Sequence, residues 1–217
     1  MIAPTPSFPG TVHVVDDDAA FRTAVARVLN AAGYHARLYG SAPEYLEAVE
    51  GDGPACVLLD LRMPGVSGLD LQHELARRDQ AHPVIFLSGH GDIPSTVRAM
   101  RDGALDFLTK PVPTATLLEA IRAALERDLE RAQRRAWLGE LRQRYASLTP
   151  RERQVMAGVV AGRLNKQICF GLQAAERTVK THRARVMEKM GVRSVAELVR
   201  FAEELHAAGI ALERVTY

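Results

Sequence analysis

The 217-residue sequence contains few cysteines, no long hydrophobic run and almost no net charge. Its two cysteines, Cys56 and Cys169, lie far apart in the chain, which argues against a disulfide framework and favours a reducing compartment. No apolar run approaches the roughly 20 residues that span a bilayer, and the N-terminus has neither a basic start nor an apolar stretch of signal-peptide length. We therefore expect a cytoplasmic protein with no membrane partner.

The small net charge of +2 conceals an uneven distribution of charged residues along the chain. Residues 1–125 carry ten basic and fifteen acidic side chains, whereas residues 148–217 carry twelve basic and seven acidic ones. A basic C-terminal part beside an acidic N-terminal part favours a nucleic-acid partner, although the total charge gives no sign of one.

Short apolar runs alternate with helical patterns over the N-terminal half of the chain. The runs predicted as strands cover residues 12–15, 35–39, 55–61, 84–87 and 106–109. The predicted helices cover residues 20–32, 43–49, 69–78 and 94–101, and a further one begins near Thr114. Five successive strand–helix units imply a parallel sheet with helices on both faces, so we predict an α/β doubly wound domain with a five-stranded sheet.

A long charged helix is predicted from residue 117 to about residue 145. Its apolar residues keep a spacing of three or four positions up to Ala132 and again from Leu138. The step between these two residues breaks the register, and Gly139 weakens the helix at this point. Two interpretations stay open, a solvated helical linker with one packed face and a short coiled-coil signalling helix.

A smaller all-helical domain is predicted after this segment, with helices at 150–161, 166–171, 176–190 and 195–206. Thr149 and Glu152 form a capping-box spacing with Pro150 at the first helical position, and Ser194 with Glu197 repeats that spacing. The predicted organisation is a disordered segment at 1–10, an α/β domain at 11–126, a helical linker at 127–147 and the helical domain at 148–217.

Acidic and phosphate-binding residue types follow the predicted strands. Asp16, Asp17 and Asp18 come after the first strand and Asp60 lies at the end of the third, while Ser88 and Lys110 follow the fourth and fifth. Because ligands of open parallel sheets bind at the carboxyl ends of the strands, we expect these side chains to converge. Converging carboxylates suit a hard cation such as Mg²⁺, and a carboxylate beside it can accept a phosphoryl group as an acyl phosphate.

The segments VVDDDAAF, VLLDLRMPGVSG, FLSGHGD and DFLTKPV resemble the flavodoxin-like receiver domain of two-component response regulators over about residues 10–126. The resemblance implies that Asp60 is the phosphoacceptor and that Asp17, with Asp16, Asp60 and the Arg62 main-chain carbonyl, holds Mg²⁺ or Mn²⁺. It also implies a phosphate-pairing role for Lys110 and a cis Lys110–Pro111 bond.

The same resemblance implies a switch, in which Ser88 moves toward the phosphoryl group and Phe107 turns inward. Arg62 and His90 flank the phosphoryl position and are expected to tune its hydrolysis. A phosphatase of the haloacid-dehalogenase-like type also uses an Asp nucleophile, but it needs a second Asp two residues later. Arg62 occupies that position, which argues against such a phosphatase, and we predict that the protein is not an enzyme.

The predicted helix at 176–190 has one apolar and one basic face. Val179, Val186 and Met190 repeat at core spacing. The opposite face carries Arg177, Lys180, Thr181, Ala184 and Arg185. A small Ala184 lets the helix approach a major groove, and the side chains around it can reach phosphates and base edges. Lys166, near the start of the preceding helix, is expected to contact a phosphate.

Residues 148–206 are similar to the LuxR-type helix-turn-helix, and the whole chain resembles the NarL/FixJ family of response regulators. The resemblance adds Thr178 to the DNA contacts. It implies a transcriptional regulator that a sensor histidine kinase phosphorylates and that dimerises on phosphorylation to bind a two-fold-related DNA site. The rival interpretation is a phosphate sink or docking module that no longer binds DNA.

The chain departs from the family pattern at the turn before the recognition helix, where Gln173, Ala174 and Ala175 replace the usual glycine and capping serine. An uncapped helix loses roughly 0.5–2 kcal/mol, and a positive φ at Gln173 costs about 1–2 kcal/mol more. We expect this turn to be the least stable part of the domain and to be ordered with help from DNA or dimerisation.

Overall fold

The computed structural model describes residues 10–48, 53–77, 82–89 and 93–212. The chain divides into two compact units, Met1–Ala132 and Gln133–Tyr217. This division falls inside the predicted linker, and the bounds of the four predicted segments themselves stay predictions. The segment predicted as disordered lies outside the described residues except for Gly10.

In the described part of the N-terminal unit, five strands form one parallel sheet in the order β2-β1-β3-β4-β5. Their bounds are β1 Thr11–Val15, β2 His35–Tyr39, β3 Ala55–Asp60, β4 Val84–Ser88 and β5 Asp106–Thr109. The five-stranded parallel sheet predicted from the apolar runs is confirmed. Central strand β3 is buried along its whole length, as expected for a strand with neighbours on both sides and helices on both faces.

Helices cover both faces of this sheet, with bounds α1 Ala19–Ala31, α2 Ala42–Ala48, α3 Gly68–Ala76, α4 Ile93–Arg101 and α5 Thr114–Ala146. One core contains Leu29 of α1 and Ile121 of α5, and the other contains Tyr45 of α2 and Leu71 of α3. Two separate cores confirm the doubly wound architecture. The predicted helix ends at 49 and 78 lie outside the described residues.

Helix α5 runs without interruption through Gly139. Its Leu125 is buried in the core of the N-terminal unit, whereas its Leu141 and Tyr145 are buried in the core of the C-terminal unit. The register break predicted between Ala132 and Leu138 therefore separates two apolar segments that belong to different cores.

The described C-terminal unit contains, after α5, the helices α6 Pro150–Val160, α7 Asn165–Leu172, α8 Glu176–Met190 and α9 Val195–Ala207. The predicted capping box of Thr149 and Glu152 is present, with proline in the first turn, and the Ser194 side chain accepts the Glu197 N–H. The core of this unit contains Val155, Met156, Ile168, Val179, Val186, Met190, Leu198 and Leu205.

Candidate functional site

The carboxyl ends of β1, β3 and β5 bring three charged side chains together. Lys110 Nζ lies 2.5 Å from Asp16 Oδ2 and 2.7 Å from Asp60 Oδ1. Asp16 is 2% exposed and Asp60 is 7% exposed, so the two carboxylates are almost entirely removed from water. Of the side chains expected to converge at the strand ends, the structure brings these three into direct contact.

Backbone amides hold each of these carboxylates in place. The Asp18 N–H donates to Asp16 Oδ1 at 2.9 Å, and the Arg62 N–H donates to Asp60 Oδ2 at 2.7 Å. The three consecutive aspartates differ in their surroundings, since Asp16 is buried in the site, Asp17 is exposed, and Asp18 caps α1 by accepting its first amides. The expectation that Asp18 joins the acidic site is therefore replaced by a capping role.

Burial and charge act in opposite directions on this cluster. Burial raises the pKa of the Asp16 carboxyl, against the lowering effect of the Lys110 ammonium and the Asp18 N–H. Burial alone lowers the pKa of Lys110, but the hydrogen bonds and charges of Asp16 and Asp60 outweigh it, and the net result is a raised pKa. Lys110 therefore stays charged and provides the positive charge between the two carboxylates.

The aspartate side chains at this site fit a hard cation only in part. Two buried carboxylates already meet at a position that a positive charge occupies, and oxygen ligands of this kind suit Mg²⁺ or Mn²⁺. Asp17 is exposed and is not gathered with them. Within the described ranges, no group of three or more His, Cys, Asp or Glu side chains is arranged to hold a metal ion.

Ser88 and Phe107 lie on the neighbouring strands β4 and β5. Ser88 is 2% exposed, and its main-chain carbonyl accepts the Lys110 N–H at 2.8 Å. Phe107 is partly buried, with its ring stacked on Phe86 at 6.1 Å between centroids. The Lys110–Pro111 peptide bond is cis, as the family resemblance implies. His90 lies outside the described residues.

Three further contacts at the site were not predicted from the sequence. The Lys110 ammonium lies 4.0 Å from the centre of the Phe21 ring, and the Arg22 guanidinium donates to the Asp16 main-chain carbonyl at 2.5 Å. A Cβ added at Gly68 would lie 2.3 Å from the Asp60 carbonyl oxygen, so only glycine lets α3 approach this strand end. Such contacts depend on tertiary distances, and no local pattern in the sequence indicates them.

Helix α8 separates a buried apolar face from an exposed polar one. Val179, Val186 and Met190 are at most 1% exposed. The residues predicted to face DNA are all exposed: Lys166 on α7, and Arg177, Thr178, Lys180, Thr181, Ala184 and Arg185 on α8. Lys180 also forms an ion pair with Glu176 at 3.0 Å. The predicted division of this helix is confirmed.

The turn between α7 and α8 has the features that the substitutions predict. Gln173 adopts φ 47° and ψ 45°, and it is the one non-glycine residue with positive φ in the described chain. Ala175 occupies the N-cap position of α8 and provides no side-chain hydrogen bond. The recognition helix therefore begins after a strained residue and without a cap.

Two family models match the chain, and together they cover both units. Residues 12–122 match the response regulator receiver domain, and residues 146–202 match the bacterial regulatory proteins of the LuxR family. The chain belongs to the NarL/FixJ family of response regulators, in which a receiver domain is joined to a LuxR-type DNA-binding domain. It is thus a transcriptional regulator of the two-component class.

Known proteins resemble the chain over nearly its whole length. Nodulation protein W of Bradyrhizobium diazoefficiens is 45% identical over 89% of this chain and 86% of its own, and the transcriptional regulatory protein FixJ of Azorhizobium caulinodans is 43% identical over 88% and 90%. Among solved structures, the response regulator StyR is 43% identical with a TM-score of 0.82, over 91% of this chain and 100% of its own.

Within the described part of the chain, every helix is too short or too polar to cross a lipid bilayer.

Proposed function

We propose that Asp60 is the phosphoacceptor of this regulator and that its phosphorylation controls dimerisation and DNA binding. The observation that carries the proposal is the buried meeting of Asp16, Asp60 and Lys110 at the carboxyl ends of three strands. Such a site holds a carboxylate nucleophile, a second carboxylate for a cation, and an ammonium that can pair phosphoryl oxygens.

The receiver domain implies a sensor histidine kinase as partner. In the proposed transfer, a carboxylate oxygen of Asp60 attacks the phosphorus of the kinase's phosphohistidine. A phosphorus–oxygen bond forms, the phosphorus–nitrogen bond breaks, and the imidazole leaving group keeps the electron pair and takes up a proton. Lys110 Nζ, already 2.7 Å from Asp60 Oδ1, then pairs with a phosphoryl oxygen.

Receiver domains bind Mg²⁺ at an acidic pocket, and the residues of this pocket that would hold Mg²⁺ or Mn²⁺ are Asp16, Asp17, Asp60 and the Arg62 main-chain carbonyl. When bound, the ion supplies positive charge that offsets the repulsion between the carboxylates and the incoming phosphoryl group. Asp16 and Asp60 lie together at Lys110, and Asp17 is exposed beside them, so in this proposal Asp17 would turn its side chain inward to join the ion.

Ser88 and Phe107 form the proposed switch. Ser88 is joined to Lys110 through a main-chain hydrogen bond, and Phe107 lies on β5, three residues before Lys110, which directly follows that strand. Movement of the Ser88 hydroxyl toward the phosphoryl group would leave space that the Phe107 ring fills. We propose that this change remodels the face of α4 and β5 and promotes homodimerisation, in the cytoplasm where Cys56 and Cys169 remain reduced.

The proposed DNA interface is the exposed face of α8, with Lys166 of α7 at a phosphate. Ala184 lets α8 approach the groove floor, and Arg177, Lys180 and Arg185 reach phosphates or base edges around it. A dimer places two such helices about one helical turn apart, ~34–36 Å, on a two-fold-related site. A phosphatase role is not proposed, since Arg62 stands where a haloacid-dehalogenase-like enzyme has its second aspartate.

The test of the phosphorelay compares wild type with Asp60→Asn, each with and without acetyl phosphate and Mg²⁺. We expect the donor to label wild type, to increase its dimer fraction in sedimentation and to tighten its binding to DNA, whereas Asp60→Asn should show none of these changes. Equal labelling of both proteins would remove Asp60 as the phosphoacceptor. Labelling without any change in dimer fraction or DNA binding would remove the switch.

The uncapped turn before α8 favours a second candidate function, a phosphate sink or docking module that no longer binds DNA. Replacing Arg177 and Lys180 together with alanine distinguishes the two functions. If α8 binds DNA, this variant should lose DNA retention and the dependence of binding on salt should weaken by about one unit of slope for each phosphate contact removed. A docking module would behave like wild type in both measurements.

A further inference from the structure

The helix-turn-helix lacks the two residue types that usually stabilise its turn, and Gln173 and Ala175 of this turn are exposed. Gln173 has a left-handed backbone, and Ala175 leaves the first amides of α8 without a side-chain cap. Residues in that backbone region are strained and persist only when surrounding contacts fix them. Main-chain bonds from Gln173 and Ala174 to Phe170 and Cys169 close the end of α7, and a side chain of another helix adds a further contact there.

Arg151, in the first turn of α6, contacts the end of α7 directly. One Nη of its guanidinium donates to the main-chain carbonyl of Leu172, the last residue of α7, and the other donates to Gln154 Oε1 at 3.1 Å. The last carbonyls of a helix have no donor within the helix, and a cation beside them is also favoured by the helix dipole. Arg151 thus satisfies the carbonyl that immediately precedes Gln173.

The neighbouring residue holds the other end of the motif. Glu152 is 2% exposed and forms an ion pair at 2.7 Å with Lys189, near the C-terminus of α8. It also closes the capping box of α6, because its carboxylate accepts the Thr149 N–H at 2.9 Å. The first turn of α6 therefore makes two contacts with the motif. Arg151 contacts the residue before the turn, and Glu152 contacts the C-terminal end of α8.

We propose that Arg151 is a positioning residue for DNA recognition: its bond to the Leu172 carbonyl fixes the left-handed turn and so orients α8. This role rests on the proposed DNA-binding function of α8. This contact compensates for the missing glycine at the turn. It requires the fork of the guanidinium, because a lysine ammonium cannot reach both Leu172 and Gln154 with the same geometry. Its effect on DNA is indirect, through the position of α8.

The test uses the full chain, activated with acetyl phosphate and Mg²⁺, and a DNA duplex enriched by the wild-type protein from a random-sequence pool. Arg151→Ala should raise the dissociation constant about tenfold, and Arg151→Lys nearly as much. Adding Gln173→Gly should recover at least threefold of this loss, because glycine adopts the turn without the clamp. Arg200→Ala removes an exposed arginine of α9 and should leave binding within twofold of wild type.

Each alternative result has a definite meaning. The proposal would be overturned if Arg151→Ala bound DNA with the same dissociation constant as Arg200→Ala. It would also be overturned if Gln173→Gly did not recover the lost affinity, since that result is expected when Arg151 contacts a phosphate directly. If Arg151→Ala fails to fold, the same comparison is made with Arg151→Lys, together with hydrogen exchange at the Gln173 and Ala174 amides, which should quicken at least tenfold. Lys180→Ala binding as well as wild type would instead refute the proposed function itself.

Discussion

Restoring the missing cap of α8 should stabilise the C-terminal unit. Ala175 has the extended backbone of an N-cap residue, with φ −67° and ψ 147°, so a serine fits there without strain. Its hydroxyl would accept an amide of the first turn, which is worth about 0.5–2 kcal/mol, typically about 1 kcal/mol. For a unit of fewer than 100 residues, 1 kcal/mol corresponds to roughly 4–8 °C in the melting temperature.

The single tryptophan of the chain makes this change measurable in the full-length protein. Trp137 packs against the core of the C-terminal unit, with its ring edge-on to Phe201 at 5.8 Å. Its fluorescence therefore reports the unfolding of that unit rather than of the receiver. We expect Ala175→Ser to raise the melting temperature followed at Trp137 by about 5 °C.

A matched control is the same substitution inside a helix. Ala196 is exposed in the first turn of α9, where Ser194 already provides the cap. Ala196→Ser should lower the melting temperature slightly, since serine is a poorer helix former than alanine. An Ala175→Ser variant no more stable than Ala196→Ser would refute the reasoning that α8 lacks a cap.

Two further predictions concern the receiver. Burial lowers the pKa of His13 from 6.5 to about 4. As the pH falls, His13 therefore binds a proton in the unfolded chain before it does so in the folded one. The free energy of unfolding should fall by up to about 3 kcal/mol between pH 6.5 and pH 4. Urea titrations over this range should show this loss in wild type and in a variant of exposed His35, whereas His13→Gln should lose less by the His13 contribution. Gly68→Ala forces the Asp60 backbone to move and should slow labelling by acetyl phosphate at least tenfold. The control is Gly139→Ala, whose added methyl group meets no neighbouring atoms and should leave the labelling rate unchanged.

The elements of the fold could be predicted because each strand carries a local pattern. The run Ala55–Asp60 is apolar throughout because it lies in the middle of a parallel sheet, and its ends agree with the prediction to one residue. The long helix predicted from residue 117 to about residue 145 is present as α5, which continues through Gly139. The burial of Leu141 and Tyr145 in a tertiary core offsets the roughly 1 kcal/mol that glycine costs in a helix.

The sequence could predict which site residues follow the ends of strands. It could not predict which way the local backbone turns each side chain. Asp16, Asp60 and Lys110 converge because parallel strands end at one edge of the sheet. The same rule could not distinguish among three consecutive aspartates, since a change of one residue turns the side chain from the site to solvent or to a helix cap. The Arg151 contact joins positions far apart in sequence and has no local pattern.

The position of Lys110 offers the proposed switch a route from Asp60 to Ser88. Its ammonium is divided between Asp16 and Asp60, and its main-chain N–H is bonded to the Ser88 carbonyl. In the proposed phosphorylation, a phosphoryl group on Asp60 adds negative charge beside this ammonium and changes how it is shared between the two carboxylates. Since the Lys110 backbone is hydrogen-bonded to β4 and directly follows β5, we propose that this change reaches Ser88 and Phe107 through the main chain. Under this proposal, the lysine is both the counter-ion of the site and its connection to the α4–β5 face.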